Sequence, residues 1–80
     1  MKKNIVGTRV REARKAAKPQ ITQSDLVARL QAEGLAMDQS KLSKIENGQR
    51  PVSDIEIVAL AKVLKVSVAW LVSEVEGTPT

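Results

Sequence analysis

Apolar side chains recur along the chain at the spacing of an α-helix, in five separate segments. The first segment, residues 5–17, carries one apolar stripe at Val6, Val10, Ala13 and Ala17. The later segments span about residues 23–33, 39–47, 54–64 and 68–73. The apolar face of the second segment is formed by Leu26, Val27 and Leu30, and that of the third by Leu42 and Ile45. The apolar face of the fourth is formed by Ile57, Leu60, Ala61 and Leu64. The two-residue period of a strand fits the valine-rich part, residues 52–72, less well. The pattern predicts an all-α fold.

Capping motifs mark where these helices begin and end. Thr22 with Asp25 three residues later, and Ser53 with Glu56, have the spacing of a capping box, and Ser67 repeats the signal without the acid. Two apolar pairs can close the motifs as hydrophobic staples: Ile21 with Leu26, and Val52 with Ile57. Gly34 is expected to end the second helix.

The third helix has two candidate N-caps. With Asp38 as the N-cap, the helix begins at Gln39, whereas with Ser40 as the N-cap it would begin two residues later. The sequence leaves both open.

Charge is distributed unevenly. Residues 1–20 carry seven Lys or Arg and one acid, residues 21–50 carry four of each, and residues 51–80 carry two bases and four acids. A basic first quarter indicates attraction to a polyanion such as DNA or an anionic membrane, although a solvated helix face is an equal alternative.

Eighty residues without cysteine or histidine fit one small domain and exclude several kinds of chemistry. Disulfides, thiol catalysis, cysteine-bound zinc and histidine-based catalysis are ruled out. No apolar run is long enough to span a bilayer. We therefore expect a cytoplasmic binding protein that is not an enzyme and uses no metal or other cofactor.

The third helix carries the most informative polar surface. Opposite Leu42 and Ile45 lie four polar side chains at helical spacing: Ser40, Ser43, Lys44 and Asn47. A solvated helix usually mixes acids with bases, but this face has no acid. Short polar groups and lysine suit the major groove of DNA, where an acid would be repelled by phosphate. This pattern favours DNA reading over a merely solvated face.

Three stretches of the chain resemble the Cro/phage-repressor (XRE-type) helix-turn-helix family. They are Gly7-x-Arg9-Val10-Arg11-x-x-Arg14, then Thr22-Gln23 with Ser40-x-Leu42-Ser43-Lys44-Ile45-Glu46-Asn47-Gly48-x-Arg50, and finally Leu60-Ala61-x-x-Leu64-x-Val66-Ser67-x-x-Trp70-Leu71. The resemblance covers about residues 5–72. It implies a compact five-helix, lambda-repressor-like domain over residues 1–73, with the helix-turn-helix at about 22–48 and the recognition helix at about 39–47. The tail at 74–80 contains Gly77 and Pro79 and is expected to be flexible.

The resemblance also implies roles for individual residues on double-stranded DNA. Base edges would be read by Gln39, Ser40 and Lys44. Phosphates would be contacted by Thr22, Gln23, Lys41, Ser43, Asn47 and Arg50. Arg14 and Glu46 would form a partly buried ion pair between the first and third helices.

The chain departs from the family where the second and third helices are joined. The distance from Leu30 to Leu42 is about five residues longer than the usual tight turn, so residues 31–37 must extend the helix or form a loop. Asp38, an acid close to the expected phosphates, should be occupied in capping.

The function implied is that of a sequence-specific transcription regulator, most simply a repressor. An antitoxin or a restriction-modification controller would use the same domain, and a helical protein-interaction module would keep the fold without reading DNA. Trp70 is expected at the edge of the core. With Val72 and Val75 it could also form a patch for a homodimer, which would bind a pseudo-palindromic operator.

Overall fold

The computed structural model describes residues 2–73, which form five α-helices. In chain order they are α1 (Gly7–Ala16), α2 (Gln23–Ala32), α3 (Gln39–Glu46), α4 (Asp54–Leu64) and α5 (Val68–Leu71). This part of the chain contains no strand, so the predicted all-α fold of five helices is confirmed. The predicted tail at 74–80 lies outside the described residues.

Both predicted capping boxes are present. The Thr22 hydroxyl accepts a hydrogen bond from the Asp25 N–H at 3.0 Å, and the Asp25 carboxylate accepts one from the Thr22 N–H at 3.1 Å. Ser53 and Glu56 exchange the same two bonds at 3.2 and 2.9 Å at the start of α4. Each box satisfies two N–H groups that a helix start leaves unpaired, which fixes the first residue of α2 and of α4.

Asp38 is the N-cap of α3, because its carboxylate accepts a hydrogen bond from the Lys41 N–H at 2.8 Å. The alternative start at Ser40 is therefore wrong, and Gln39 is the first helical residue. The opposite end of α3 is closed by Gly48, whose φ of +72° lies in the left-handed region that glycine adopts without strain. The third helix thus ends one residue earlier than the sequence predicts, at Glu46.

The first helix begins at Gly7, two residues later than predicted. Its N-terminus is capped from outside the helix, because the Asn4 side-chain oxygen accepts hydrogen bonds from the Val6 and Gly7 N–H groups at 3.0 and 2.8 Å. The Asn4 amide nitrogen also donates to the carbonyl oxygens of Ile45 and Arg50. One asparagine therefore starts α1 and ties it to the end of α3.

The core takes side chains from every helix. Its fully buried large members are Val6, Val10, Leu26, Leu30, Leu42, Ile45, Leu60 and Leu71. The predicted stripes of α1 and α2 converge on this cluster, and Ala13, Ala17 and Val27 pack against it while remaining partly exposed. None of the described helices is long and apolar enough to cross a membrane.

The long connection between α2 and α3 is a loop. The second helix ends at Ala32, and Gly34 takes a φ of +87°, as expected of a helix-ending glycine. The Leu35 N–H then donates to the Leu30 carbonyl oxygen at 3.1 Å, and Met37 is buried with 4% of its surface exposed. Of the two predicted alternatives, the extra residues therefore loop out, and Met37 anchors them in the core.

Trp70 lies partly buried against the core, which agrees with its predicted place at the core edge. The Arg9 guanidinium stacks over its ring, 4.9 Å from the ring centre, at the spacing of a cation–π contact. Val72 packs partly against the same core, and Val75 lies outside the described residues.

Candidate functional site

The polar face of α3 is open to solvent. Leu42 and Ile45 have no exposed surface and hold the helix to the core. The side chains on the other side are exposed at Gln39, Ser40, Lys41 and Lys44, and partly exposed at Ser43. The residues that the sequence predicts to read bases, Gln39, Ser40 and Lys44, therefore share an accessible surface.

One acid, Asp38, directly precedes this helix, and a second, Glu46, is its last residue. Neither presents a free carboxylate on the outer face. Asp38 is held at the N-terminus by capping. Glu46 turns inward, with 4% of the residue exposed. The charged groups on the outer surface of α3 are then the two ammonium groups of Lys41 and Lys44, a combination that attracts phosphate.

Glu46 is the centre of a hydrogen-bonded cluster that joins α1, α2 and α3. The Arg14 guanidinium binds it in a bidentate way, with Nε 2.8 Å from Oε2 and Nη2 2.9 Å from Oε1. The Gln23 amide nitrogen donates to Oε1 at 3.1 Å, and Arg11 Nε approaches the same oxygen at 3.5 Å. The ion pair expected between Arg14 and Glu46 is thus present, and it is more deeply buried than expected.

The surroundings of Glu46 favour its charged form. Burial raises the pKa of this carboxyl, but hydrogen bonds from Arg14 and Gln23, with the positive charge of Arg14, outweigh burial and lower the pKa below the ordinary value of 4.5. The cluster therefore contains a carboxylate at neutral pH. Arg14 has a further acceptor in the Ile21 carbonyl oxygen at 3.1 Å, so its guanidinium is firmly held.

The N-terminus of α2 is connected to α3 through Gln23. Its amide nitrogen is bonded to Glu46, while its amide oxygen lies 3.5 Å from the Gln39 amide nitrogen. Thr22 beside it is exposed, although its hydroxyl accepts the capping bond from Asp25. The hydrogen bonds with Thr22 lower the pKa of the exposed Asp25 carboxyl, which favours its charged form. This carboxylate lies close to the phosphate site expected at Thr22 and Gln23.

Asn47 and Arg50, both predicted phosphate contacts, are partly engaged within the protein. The exposed Asn47 accepts a hydrogen bond from Arg11 Nη2 at 2.9 Å. The Arg50 side chain is 30% exposed and lies 3.8 Å from the Glu56 carboxylate, while its Nη1 atom is buried without a hydrogen-bond partner. The Arg50 guanidinium is therefore directed towards Glu56 on α4, whereas the sequence predicts a side chain available to phosphate.

Sequence reasoning assigned no role to Arg11 or Asn4, and the structure places both at the C-terminal end of α3. Arg11 could have been found from its position, since it is one turn before Arg14 in the same basic segment. Asn4 has the residue type of a helix cap and lies just before the first apolar stripe. Neither signal identifies the partner on α3, which depends on how α1 and α3 cross.

A family model described as a helix-turn-helix domain matches residues 5–71, which is most of the chain. No curated protein matches the sequence, and no solved structure does.

Proposed function

We propose that this chain, which belongs to the helix-turn-helix domain family, is a transcriptional repressor that reads the major groove of a specific double-stranded site with α3. Membership of the family indicates DNA binding and a role in transcription regulation. The finer proposal rests on the surface of α3. The observation that supports it is the exposed polar face of α3, which carries two lysines. The one acid of this helix, Glu46, is turned inward and paired with Arg14.

In this proposal, the first turns of α3 contact base edges and the surrounding residues contact phosphates. Gln39 can bind adenine in a bidentate way, and Lys44 can donate to guanine O6 or N7. The exposed hydroxyl of Ser40 can contact either kind of base. The two helices would be held against the DNA backbone by Thr22, Gln23, Lys41, Ser43, Asn47 and Arg50. Arg50 would contribute least, because its guanidinium is directed towards Glu56 on α4.

A homodimer is the assembly that suits this mode of binding. Two copies related by a two-fold axis would place α3 in successive major grooves, about 34–36 Å apart along a pseudo-palindromic site. The described surface has apolar side chains available for self-association, since Ile55 and Val58 on α4 are 70% and 58% exposed.

Selection of bound sequences from a random duplex pool tests this function. A DNA reader enriches one motif, and a dimer enriches two inverted half-sites at the stated spacing. With about 6–8 phosphate contacts per dimer, the logarithm of the affinity should fall with the logarithm of salt concentration with a slope of about −5 to −7. Failure to enrich any motif, with no salt-dependent DNA binding, favours a protein-interaction module.

Lys44→Ala should weaken binding to the selected site by about 1–3 kcal/mol while changing binding to random DNA much less. The matched control is Lys41→Ala, which removes the same charge from an exposed position about one turn earlier in α3. This control should weaken binding to both duplexes to a similar extent, because a phosphate contact carries no sequence information. The measurement is equilibrium binding to both duplexes at one salt concentration. Equal losses on both duplexes for Lys44→Ala would remove Lys44 from the base-reading set.

A further inference from the structure

We infer that Arg11 of α1 is a phosphate-binding residue of the DNA interface, held ready by Glu46 and Asn47 at the C-terminal end of α3. This inference rests on the proposed function and adds a contact from a helix outside the helix-turn-helix pair.

The Arg11 side chain crosses from α1 to the end of α3. Its Nη2 atom donates to the Asn47 side-chain oxygen at 2.9 Å, and its Nε atom lies 3.5 Å from Glu46 Oε1. The same Glu46 oxygen accepts from Gln23 at 3.1 Å. Arg11 and Gln23 are therefore within two hydrogen-bond lengths of each other, which places the guanidinium beside the N-terminus of α2. Unpaired N–H groups at a helix N-terminus attract the same anion as a guanidinium.

The charges in this cluster do not cancel. Glu46 is a single carboxylate, and it is bound in a bidentate way by Arg14, whose side chain is 9% exposed. Arg11 adds a second positive charge, and its side chain is 45% exposed. Among residues 2–73, its described contacts include no carboxylate other than Glu46, since Asn47 is neutral. One net positive charge therefore remains, and it lies on the solvent side of the cluster.

The geometry leaves Arg11 with donors for an anion. A guanidinium has five N–H groups. The described bonds use Nε and one N–H of Nη2, so the N–H groups of Nη1 are left for a ligand. Because two contacts already fix the side chain, binding a phosphate immobilises little additional conformational freedom. A planar guanidinium also matches the geometry of a phosphate better than an ammonium does.

The position also suits a helix that lies in a groove. Asn47 is seven residues beyond Ser40, about 10 Å along the axis of α3, so Arg11 lies at the opposite end of the helix from the expected base contacts of Gln39 and Ser40. The major groove is about 12 Å wide and bounded by phosphates, so a cation at this end would meet the backbone. A phosphate contact should contribute affinity without sequence preference.

The test compares Arg11→Gln with Lys62→Gln in the full chain. Both variants lose one positive charge and one partly exposed ion pair, since Lys62 pairs with Glu33 at 2.8 Å. Glu33 lies at the end of α2 that is distant from Gln23, so the control stays away from the expected interface. For each protein, the affinity for the selected duplex and for random DNA is measured over a series of salt concentrations, together with the midpoint of thermal unfolding.

Arg11→Gln should make the salt dependence less steep by about 0.9 per copy bound, which is about 2 for a dimer. The affinity at about 0.15 M salt should fall about 5-fold per copy on both duplexes. Lys62→Gln should leave the slope close to that of the unmodified chain, and Arg11→Lys should keep most of the slope while binding more weakly than arginine. The unfolding midpoint of Arg11→Gln should stay within about 4 °C of the unmodified chain.

Each other outcome overturns the inference in an identifiable way. An unchanged slope for Arg11→Gln, with selective and salt-dependent binding by the unmodified chain, refutes the Arg11 contact and leaves the proposed function standing. A large fall in the unfolding midpoint with an unchanged slope assigns Arg11 to the Glu46 cluster alone. Absence of salt-dependent DNA binding by the unmodified chain refutes the proposed function and the Arg11 contact together.

Discussion

Replacing Glu46 with leucine is expected to lower the free energy of unfolding by about 3–5 kcal/mol. The change removes the buried acceptor of Arg14 and Gln23, and it leaves the Arg14 guanidinium with the Ile21 carbonyl as its remaining described acceptor. Glu46→Gln retains one acceptor oxygen and should cost less. Urea unfolding of both variants measures the two losses.

The matched control for this substitution is Glu12→Leu. Glu12 is also paired with an arginine, since it lies 3.4 Å from Arg9, but its side chain is 52% exposed. An exposed pair of this kind contributes less than about 1 kcal/mol. A loss for Glu46→Leu no larger than that for Glu12→Leu would show that the buried cluster does not hold the helices together.

The same variant isolates the pH dependence that Glu46 contributes. Because the folded state lowers the pKa of this carboxyl, its contribution to stability is complete above the ordinary value of 4.5 and is lost as the pH falls through the lower folded pKa. The difference in unfolding free energy between the unmodified chain and Glu46→Leu should thus be constant near neutral pH and shrink below about pH 4.5. A difference that grows on acidification would contradict the lowered pKa.

Gly7→Ala is expected to destabilise the protein by about 3 kcal/mol, although alanine usually stabilises a helix relative to glycine. A Cβ at this position would overlap the Ile45 carbonyl oxygen and lie 3.0 Å from that of Glu46. Both are backbone atoms of α3 and cannot rotate away. The added methyl group would therefore push α1 from α3 and weaken the bonds between Arg14 and Glu46.

Gly34→Ala is the control for this prediction. An added Cβ there has nothing within 4 Å, but the φ of +87° is a conformation that alanine adopts only with strain. Its cost should be about 1–2 kcal/mol, from backbone conformation alone. The measurement is the free energy of unfolding of both variants. A Gly7→Ala protein as stable as the unmodified chain would mean that α1 and α3 are not in close contact.

The features predictable from the sequence are those set by residues close together in the chain. Thr22 with Asp25 and Ser53 with Glu56 are three residues apart, so their spacing alone gives the first residues of α2 and α4. The outward face of α3 follows from the burial of Leu42 and Ile45 and the period of the helix.

The features not predictable are contacts between distant parts of the chain. Arg11 and Asn47 are 36 residues apart, Gln23 and Glu46 are 23 apart, and the Asn4 side chain binds a carbonyl 41 residues away. Periodicity shows which face of each helix is polar, but the crossing of the helices decides which side chains meet. The pairing of Arg14 with Glu46 was expected because the family resemblance supplied information about that crossing.

The connection between α2 and α3 shows the same limit. Gly34 predicts where α2 ends, but local propensity does not choose a path for the residues between Gly34 and Asp38. The choice comes from the burial of Met37 and from a hydrogen bond between the Gln31 amide nitrogen and the Met37 carbonyl oxygen at 2.8 Å. The core that buries Met37 takes side chains from distant parts of the chain, so its burial does not follow from the local sequence.

Nuclear Overhauser contacts between the protein and its selected duplex test the central claim, that the outer face of α3 lies in the major groove, most directly. Thymine methyl groups project into that groove and mark it without ambiguity. We expect contacts from the side chains of Gln39, Ser40 and Lys44 to protons in the major groove, with no such contacts from Lys62. Contacts from another surface of the protein, or an α3 face that gives no contact to bases in the saturated complex, would contradict the claim.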